Sequence, residues 1–363
     1  MNKIRVGVIG VGGVAWIGHL PWYKENPDVE LVAVADIDEH KARRAAEYFH
    51  IPYFYTDYEK LISRKDIDAV SICTPVHLHS EQTVRAAEEG KHVLVEKPMA
   101  RDIYECDEMI KACEKAGVVL MVGFMKRFNP GFQKIKKLID EGVLGKPHFM
   151  EVHWSLFDIR GTEAFRYKAY TGGGIFQDHG SHYIDLFRWW TGDEVSEVTA
   201  ECNLIVPGRQ VEDHAVVLLR FKKGAVAVIE TSRVGPSHEQ YGLWERGQIY
   251  CTRGAIVFDV PDWTSYELPQ IRVFRGSTWE TLAMFKEGRY PPQHYMFKRE
   301  IDYFIECIKY DKKPIVTGYD GRAAIEVINA AYLSQIEGRK IKLPLKGFKI
   351  REDIFKHFPV FRD

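Results

Sequence analysis

KIRVGVI at residues 3–9, running into Gly10-Val11-Gly12-Gly13-Val14-Ala15, is the stretch whose reading decides the fold. The first seven residues are a short β-rich run. The next six spell G-x-G-x-x-A directly after that strand and before a helical segment. Gly10 allows a tight turn, Gly12 lets the backbone approach a pyrophosphate, and the small Ala15 lets the helix pack on the strand. The helix N-terminus around Gly13 and Val14 then offers N–H groups and a positive dipole end to phosphate oxygens. The acidic partner of such a turn is Asp36, at the end of a second β-rich run, ELVAVA at 30–35. A carboxylate there accepts from the ribose hydroxyls and repels a 2′-phosphate, so the pattern favours NAD over NADP. Arg43 and Arg44 on the following helix keep NADP possible.

Outward from this turn, strand and helix alternate. Residues 69–73 (AVSIC), 92–95 (HVLV) and 118–122 (VVLMV) are nearly continuous apolar runs, as suits parallel strands buried on both faces. Asp38 and Asp102 stand as caps before helical patterns, and Gly90 and Gly117 close two of them. This alternation predicts a parallel α/β sheet with right-handed crossovers. From about residue 147 the texture changes. Strand-like runs at 148–157, 195–205, 215–221, 225–231, 248–251, 255–260 and 271–274 follow one another with few helices between, and Lys222-Lys223-Gly224 reads as a hairpin turn. Helical patterns at 293–310 and 321–337 close the chain. The reading is therefore a dinucleotide-binding Rossmann domain over 1–125. A second domain over 126–363 is α+β with a mostly antiparallel sheet.

Composition bounds the function classes. Over 363 residues, 50 Lys+Arg against 51 Asp+Glu leaves a net charge of −1, which gives no electrostatic footprint for nucleic acid or an anionic membrane. No apolar run approaches the roughly 18 residues of a membrane span. The N-terminus enters a strand almost at once, without a small-residue cleavage site, so no signal peptide is expected. Six scattered cysteines, none in C-x-x-C, fit reduced thiols and a cytoplasmic location.

Two further segments carry chemistry. Thr74-Pro75 and Glu96-Lys97-Pro98 stand at the ends of predicted strands, on the edge of the sheet where ligands bind. Thr74, Pro75, His79, Glu96 and Lys97 are accordingly read as cofactor contacts. The pair His77 and His79 near Cys73 lacks a fourth ligand and is not read as a metal site. A lysine in this crevice can donate to a substrate hydroxyl or stabilise a forming alkoxide; it can also be a solvated turn residue. The second segment is Gly172-Gly173-Gly174 followed by a helix carrying Asp178, His182 and Asp185. At about 100° per residue these three share one face, with Asp178 and His182 an i,i+4 pair. A carboxylate beside an imidazole orients it for general-base work. The glycine run suggests close approach of the backbone to a ligand. Core packing and metal binding are the competing readings of that face.

These elements, in this order and spacing over almost the whole chain, resemble the glucose–fructose oxidoreductase/inositol dehydrogenase/MocA (Gfo/Idh/MocA) family. The tail GYDGRAA at 318–324 and Lys342-Leu343-Pro344 resembles that family's ending. The resemblance implies an NAD(P)-dependent dehydrogenase moving a hydride between a sugar or inositol ring CH–OH and nicotinamide. It implies Lys97, Asp178 and His182 as the catalytic group, a large open sheet in the 126–363 domain, which would serve substrate binding and oligomerisation, and homodimer or homotetramer assembly through the exposed face of that C-terminal sheet. His182 is expected to accept the hydroxyl proton, Lys97 to hold the same oxygen, and Asp178 to orient the pair or contact a neighbouring hydroxyl. Arg127, Trp154, Arg166 and Tyr170, with His153 and Arg160, are candidates for substrate contact. Two other readings remain: a glycoside hydrolase using tightly held NAD for transient oxidation, and a non-catalytic NAD-binding protein.

Overall fold

The computed structural model describes residues 3–158, 162, 164–236, 244–260, 270–282, 292–350 and 352–360; Arg160 lies outside them. The chain divides into two compact units, 1–125 with 294–322, and 126–293 with 323–363.

In the first unit, strands β1 (Ile4–Ile9), β2 (Val29–Ala35), β3 (Tyr53–Tyr55), β4 (Ala69–Ile72), β5 (His92–Glu96) and β6 (Leu120–Gly123) form a sheet of order β3-β2-β1-β4-β5-β6. All five pairings are parallel. Burial explains the apolar runs: every residue of β4 is buried, and so are four of the five in β5. Helices on both faces leave no room for alternation. The strand order reverses between β1 and β4, which makes their carboxyl ends the natural crevice of the sheet. The caps form as the sequence predicts. Asp38 accepts from the N–H groups of His40 and Lys41, and Asp102 from those of Tyr104 and Glu105. Gly90 and Gly117 take left-handed φ values of 71° and 66°. The edge strand β3 was not foreseen; three residues are too few to show a period.

The helix Pro292–Lys309 joins the first unit from His294 onward, although the sequence reading placed everything after 125 in the second domain. Its contacts are non-local. Phe297 fills the space over Gly18, where a Cβ would stand 2.7 Å from the ring, and Asn26 donates to Asp302 at 2.8 Å. Lys309 pairs with Asp28 at 2.7 Å. Nothing local in the sequence signals partners so far apart.

In the second unit, strands β7 (Pro147–Ser155), β8 (Val195–Asn203), β9 (His214–Phe221), β10 (Val226–Ser232), β11 (Trp244–Cys251), β12 (Gly254–Val260), β13 (Gln270–Phe274), β14 (Trp279–Leu282) and β15 (Ile341–Lys342) build one sheet among the described residues. Its order is β14-β13-β12-β11-β7-β10-β9-β8-β15. Every pairing is antiparallel except β10 with β7. Here burial does alternate. In β9, Ala215, Val217 and Leu219 are buried while Val216 and Leu218 are 38% and 44% exposed, so one face packs on the core and the other is open. The predicted hairpin closes at Gly224, whose φ is 100°.

Candidate functional site

The first unit's crevice is built around the β1 turn. Gly10 has φ 84°, and a Cβ there would lie 2.9 Å from the Cys73 carbonyl carbon, so only glycine fits. Around Gly12 and Gly13 the situation is opposite: a Cβ would meet nothing within 4 Å. The chain leaves open space where a phosphate-bearing ligand would approach. Residues 13–25 are helical and include a π turn, Ala15–His19; their first N–H groups have no intrahelical acceptor. Asp36 joins this turn to the next one. Its Oδ2 accepts from Val11 N–H at 2.9 Å and its Oδ1 from Asp38 N–H at 3.0 Å. Each oxygen keeps a lone pair for a ribose hydroxyl. Beside it Ile37 is 92% exposed. Arg43 pairs with Glu39 at 2.5 Å, and Arg44 lies over the Trp16 ring.

At the ends of β4 and β5 the predicted contacts divide into two kinds. Thr74 and Pro75 are half-buried on the edge, with Thr74 Oγ1 donating to Gln82 at 2.6 Å. His79 is fully buried. Its Nε2 lies 2.7 Å from the Thr74 carbonyl oxygen and its Nδ1 3.0 Å from that of Pro98. It therefore ties the loop after β4 to the loop after β5, and burial lowers its pKa. Glu96 is also buried: Oε1 lies 2.9 Å from His19 Nε2, and Oε2 accepts from Lys97 N–H at 3.1 Å. Lys97 is half-buried immediately beyond β5, ahead of a cis peptide to Pro98.

In the second unit the glycine run turns out to serve the protein's own packing. A Cβ on Gly174 would overlap the Glu212 carbonyl oxygen, and one on Gly173 the Tyr332 hydroxyl. The close approach expected toward a ligand is made toward Glu212. That carboxylate accepts from Gly174 N–H at 3.0 Å, Phe176 N–H at 3.0 Å and Tyr332 Oη–H at 2.8 Å. It caps the helical segment that carries the candidate residues, and burial pushes its pKa up to about 7.

That segment opens with a π turn, Phe176–Gly180, before the α-helix Ser181–Thr191. The uniform 100° step therefore does not apply from Asp178. The helical wheel also left out a partner of Asp178: Arg233 Nη2 donates to Asp178 Oδ2 at 2.5 Å. Arg233 is 2% exposed and also faces Asp158 at 3.7 Å. His179 Nε2 stands 3.5 Å from Asp178, and its ring stacks on Trp154 with centroids 3.5 Å apart. His182 is buried in the first α turn. Asp185 forms a buried, two-pronged pair with Arg127, at 2.8 and 2.5 Å.

The substrate candidates thus fall into different surroundings. Arg127 is 4% exposed and engaged by Asp185, which makes it a structural ion pair, and Trp154 is buried against His179. His153 pairs with Glu230 at 2.8 Å on the open face of the sheet. Arg166 and Tyr170 are exposed on the short turns Phe165–Tyr167 and Ala169–Thr171. The sequence reading missed Glu212 and Arg233. Each acts on residues 36 to 55 positions away. The available signal was an acidic or basic residue at a strand end, which is too common to single out.

Residues 4–124 match the oxidoreductase family with the NAD-binding Rossmann fold, and residues 132–257 match the GFO/IDH/MocA C-terminal domain. The chain is 34% identical to the myo-inositol 2-dehydrogenase of Thermotoga maritima over 94% of this chain and 98% of the relative. It is 28% identical to the scyllo-inositol 2-dehydrogenase (NAD(+)) of Bacillus subtilis over 95% and 98%. Among solved structures, levoglucosan dehydrogenase in complex with NADH and levoglucosan superposes with a TM-score of 0.85 at 25% identity, covering 95% of this chain and 100% of that one. The nucleotide cradle around Asp36, the two sheets and these full-length matches lead to one conclusion: the chain belongs to the Gfo/Idh/MocA family of oxidoreductases with an NAD-binding Rossmann fold.

Proposed function

We propose that the protein is an NAD-dependent dehydrogenase that oxidises a ring CH–OH of a sugar or inositol. The observation that carries this reading is Lys97 at the carboxyl end of β5, in a unit whose first βα turn is an open dinucleotide cradle. The inositol dehydrogenases among its relatives support the substrate class. Gly10, Gly12, Gly13 and Val14 would hold the pyrophosphate, Asp36 the adenine ribose, and Thr74, Pro75 and Lys97 the nicotinamide end, with the buried Glu96 carboxylate holding the Lys97 backbone behind them. His79 holds the loops that present them. When bound, NAD supplies the hydride acceptor. NAD rather than NADP is favoured because the Asp36 carboxylate would face a 2′-phosphate, while Arg43 is already paired with Glu39.

We assign the chain's own chemistry as follows. His182 accepts the proton of the reacting hydroxyl. Lys97 hydrogen-bonds the same oxygen and stabilises its developing negative charge. Asp178, held by Arg233, orients this pair or a neighbouring hydroxyl. Arg166 and Tyr170 are the exposed candidates for further substrate contact. The open face of the second sheet is assigned to self-association, as a homodimer or homotetramer. Six free, buried cysteines support a reducing, cytoplasmic location, and no helix among the described residues is long and apolar enough to cross a membrane.

The test is a panel of inositols, aldoses and sugar acids with NAD and NADP, followed by absorbance at the reduced-nicotinamide band. Steady NADH formation from at least one polyol is expected, with NAD preferred. His182→Ala should lower turnover about 10²- to 10⁴-fold, the usual contribution of a general base. Release of an aryl glycoside's leaving group without net NADH would instead favour hydrolysis through transient oxidation. Full turnover in His182→Ala would defeat the role assignment.

A further inference from the structure

A hydrogen-bonded chain of buried side chains runs beneath the carboxyl edge of the first sheet. Tyr23 Oη lies 2.7 Å from Ser71 Oγ, Ser71 Oγ lies 3.2 Å from His19 Nδ1, and His19 Nε2 lies 2.9 Å from Glu96 Oε1. The other Glu96 oxygen accepts the Lys97 N–H at 3.1 Å. Tyr23, Ser71 and His19 are 0% exposed and Glu96 is 5% exposed. One assignment of protons satisfies every link. The phenol donates to the serine oxygen, the serine hydroxyl to Nδ1, and Nε2–H to the carboxylate, which takes the backbone N–H on its far oxygen. Burial raises the Tyr23 pKa, so the first donor stays protonated. The chain needs only a neutral imidazole and runs one way, toward the residue that carries the ammonium.

The surroundings leave Glu96 little freedom. A Cβ on Gly123 of β6 would stand 3.2 Å from Glu96 Oε1, so that side of the carboxylate is closed by a strand. The carboxyl of Glu300 is also fully buried, with neither oxygen hydrogen-bonded among the described residues, and burial together with the charge of Glu96 raises its pKa well above the ordinary value. Of the two carboxyls, Glu96 is the one that takes donors, from His19 Nε2 and the Lys97 N–H.

We propose that His19 is a positioning residue for Lys97: by fixing the Glu96 carboxylate it fixes the backbone from which the Lys97 ammonium projects. This rests on the role assigned to Lys97 above. A displacement on the order of 1 Å at a reacting group costs roughly 10²-fold in rate, which sets the scale of the effect.

The experiment compares His19→Ala, Glu96→Gln and Lys97→Ala in the full-length protein. Glu96→Gln keeps an oxygen for His19 but replaces the acceptor of the Lys97 N–H with a donor, so it cuts the last link alone. For each variant, NADH affinity is measured by fluorescence titration, kcat and KM by NADH formation, and the titration of the Lys97 side chain by NMR of reductively ¹³C-methylated protein. The expected result for His19→Ala and for Glu96→Gln is a kcat lower by about 10- to 100-fold, with NADH affinity retained and the Lys97 resonance and its titration midpoint displaced. An inactive Lys97→Ala alongside a His19→Ala that keeps kcat and an unmoved Lys97 resonance overturns the positioning role and leaves the lysine's role standing. A fully active Lys97→Ala overturns the role of the lysine itself. Should His19→Ala fail to fold, Glu96→Gln decides: an unmoved Lys97 titration with full kcat overturns the proposal.

Discussion

Asp36 accepts two backbone N–H groups, from Val11 and Asp38, before any ligand arrives. The residue read from sequence as a ribose acceptor is therefore also the clasp between two βα turns, and its removal acts on both. Hydrogen bonds to a charged group contribute about 1.5–3 kcal/mol each, so Asp36→Ala should weaken NAD binding roughly 10- to 100-fold in a fluorescence titration. Unchanged affinity would mean that the ribose is held elsewhere. Arg233 poses the complementary case in the second unit. It is buried, opposes Asp178 and Asp158, and lies over the Tyr167 ring. Arg233→Met leaves a buried carboxylate without its guanidinium, and such breaks cost about 3–5 kcal/mol. The melting temperature and kcat/KM should both fall. Arg233→Lys keeps the charge but loses the planar fork, so it should fold better and still lose kcat/KM. A folded Arg233→Lys with undiminished kcat/KM would show that Asp178 does not need this partner.

The helix bearing Asp178 and His182 begins where Glu212 gathers the N–H groups of Gly174 and Phe176. Its carboxyl is pushed up to about 7 by burial, against an ordinary value near 4.5. Between those two values the folded protein holds a proton that the unfolded chain has released. The stability this group contributes is thus fully present below pH 4.5 and is lost as pH rises through about 7. Glu212→Gln cannot ionise and removes that slope. The difference in unfolding free energy between wild type and variant should therefore shift by up to about 3 kcal/mol across the window, as measured by denaturant unfolding at several pH values. A pH-independent difference would show that Glu212 stays ionised in the fold. This element also marks where legibility ended. The cap at Asp38, the glycines closing helices and the β1 turn are local, so a few adjacent residues announce them. Lys97 and His182 announce themselves by position in a local motif. The reason for Gly173 and Gly174 lies in Glu212 and Tyr332, far along the chain, and a glycine run looks the same whether it admits a ligand or a neighbouring carboxylate. The π turn at 176–180 has no side-chain period of its own to read, so the helical wheel drawn through Asp178 used the wrong step.

The two sheets differ in how they treat solvent, and that difference bears on assembly. The first is covered on both faces and needs no partner. The second buries Ala215, Val217, Leu219, Ala227 and Ile229 on one face, while the opposite face presents Val216, Leu218 and Tyr250 at 38%, 44% and 39% exposure. Alongside them stand carboxylates that already have partners: Glu230 faces His153 and His214, and Glu197 faces Arg220 and Lys340. Carboxylates with partners in place among exposed apolar side chains make a surface that can be buried without leaving an unpartnered carboxylate, which an interface core requires. A second copy of the chain offers the same patch, and two-fold pairing places like on like. Leu218→Glu puts an unpaired carboxylate in the middle of that face, and in a two-fold contact it is introduced twice. Light scattering coupled to size exclusion should find the wild type as a dimer or tetramer and Leu218→Glu shifted to a smaller species, with its melting curve still cooperative. Leu219→Glu, on the buried side of the same strand, should instead abolish folding. If the wild type runs as a monomer, or Leu218→Glu keeps the wild-type mass, this face is not the surface of self-association.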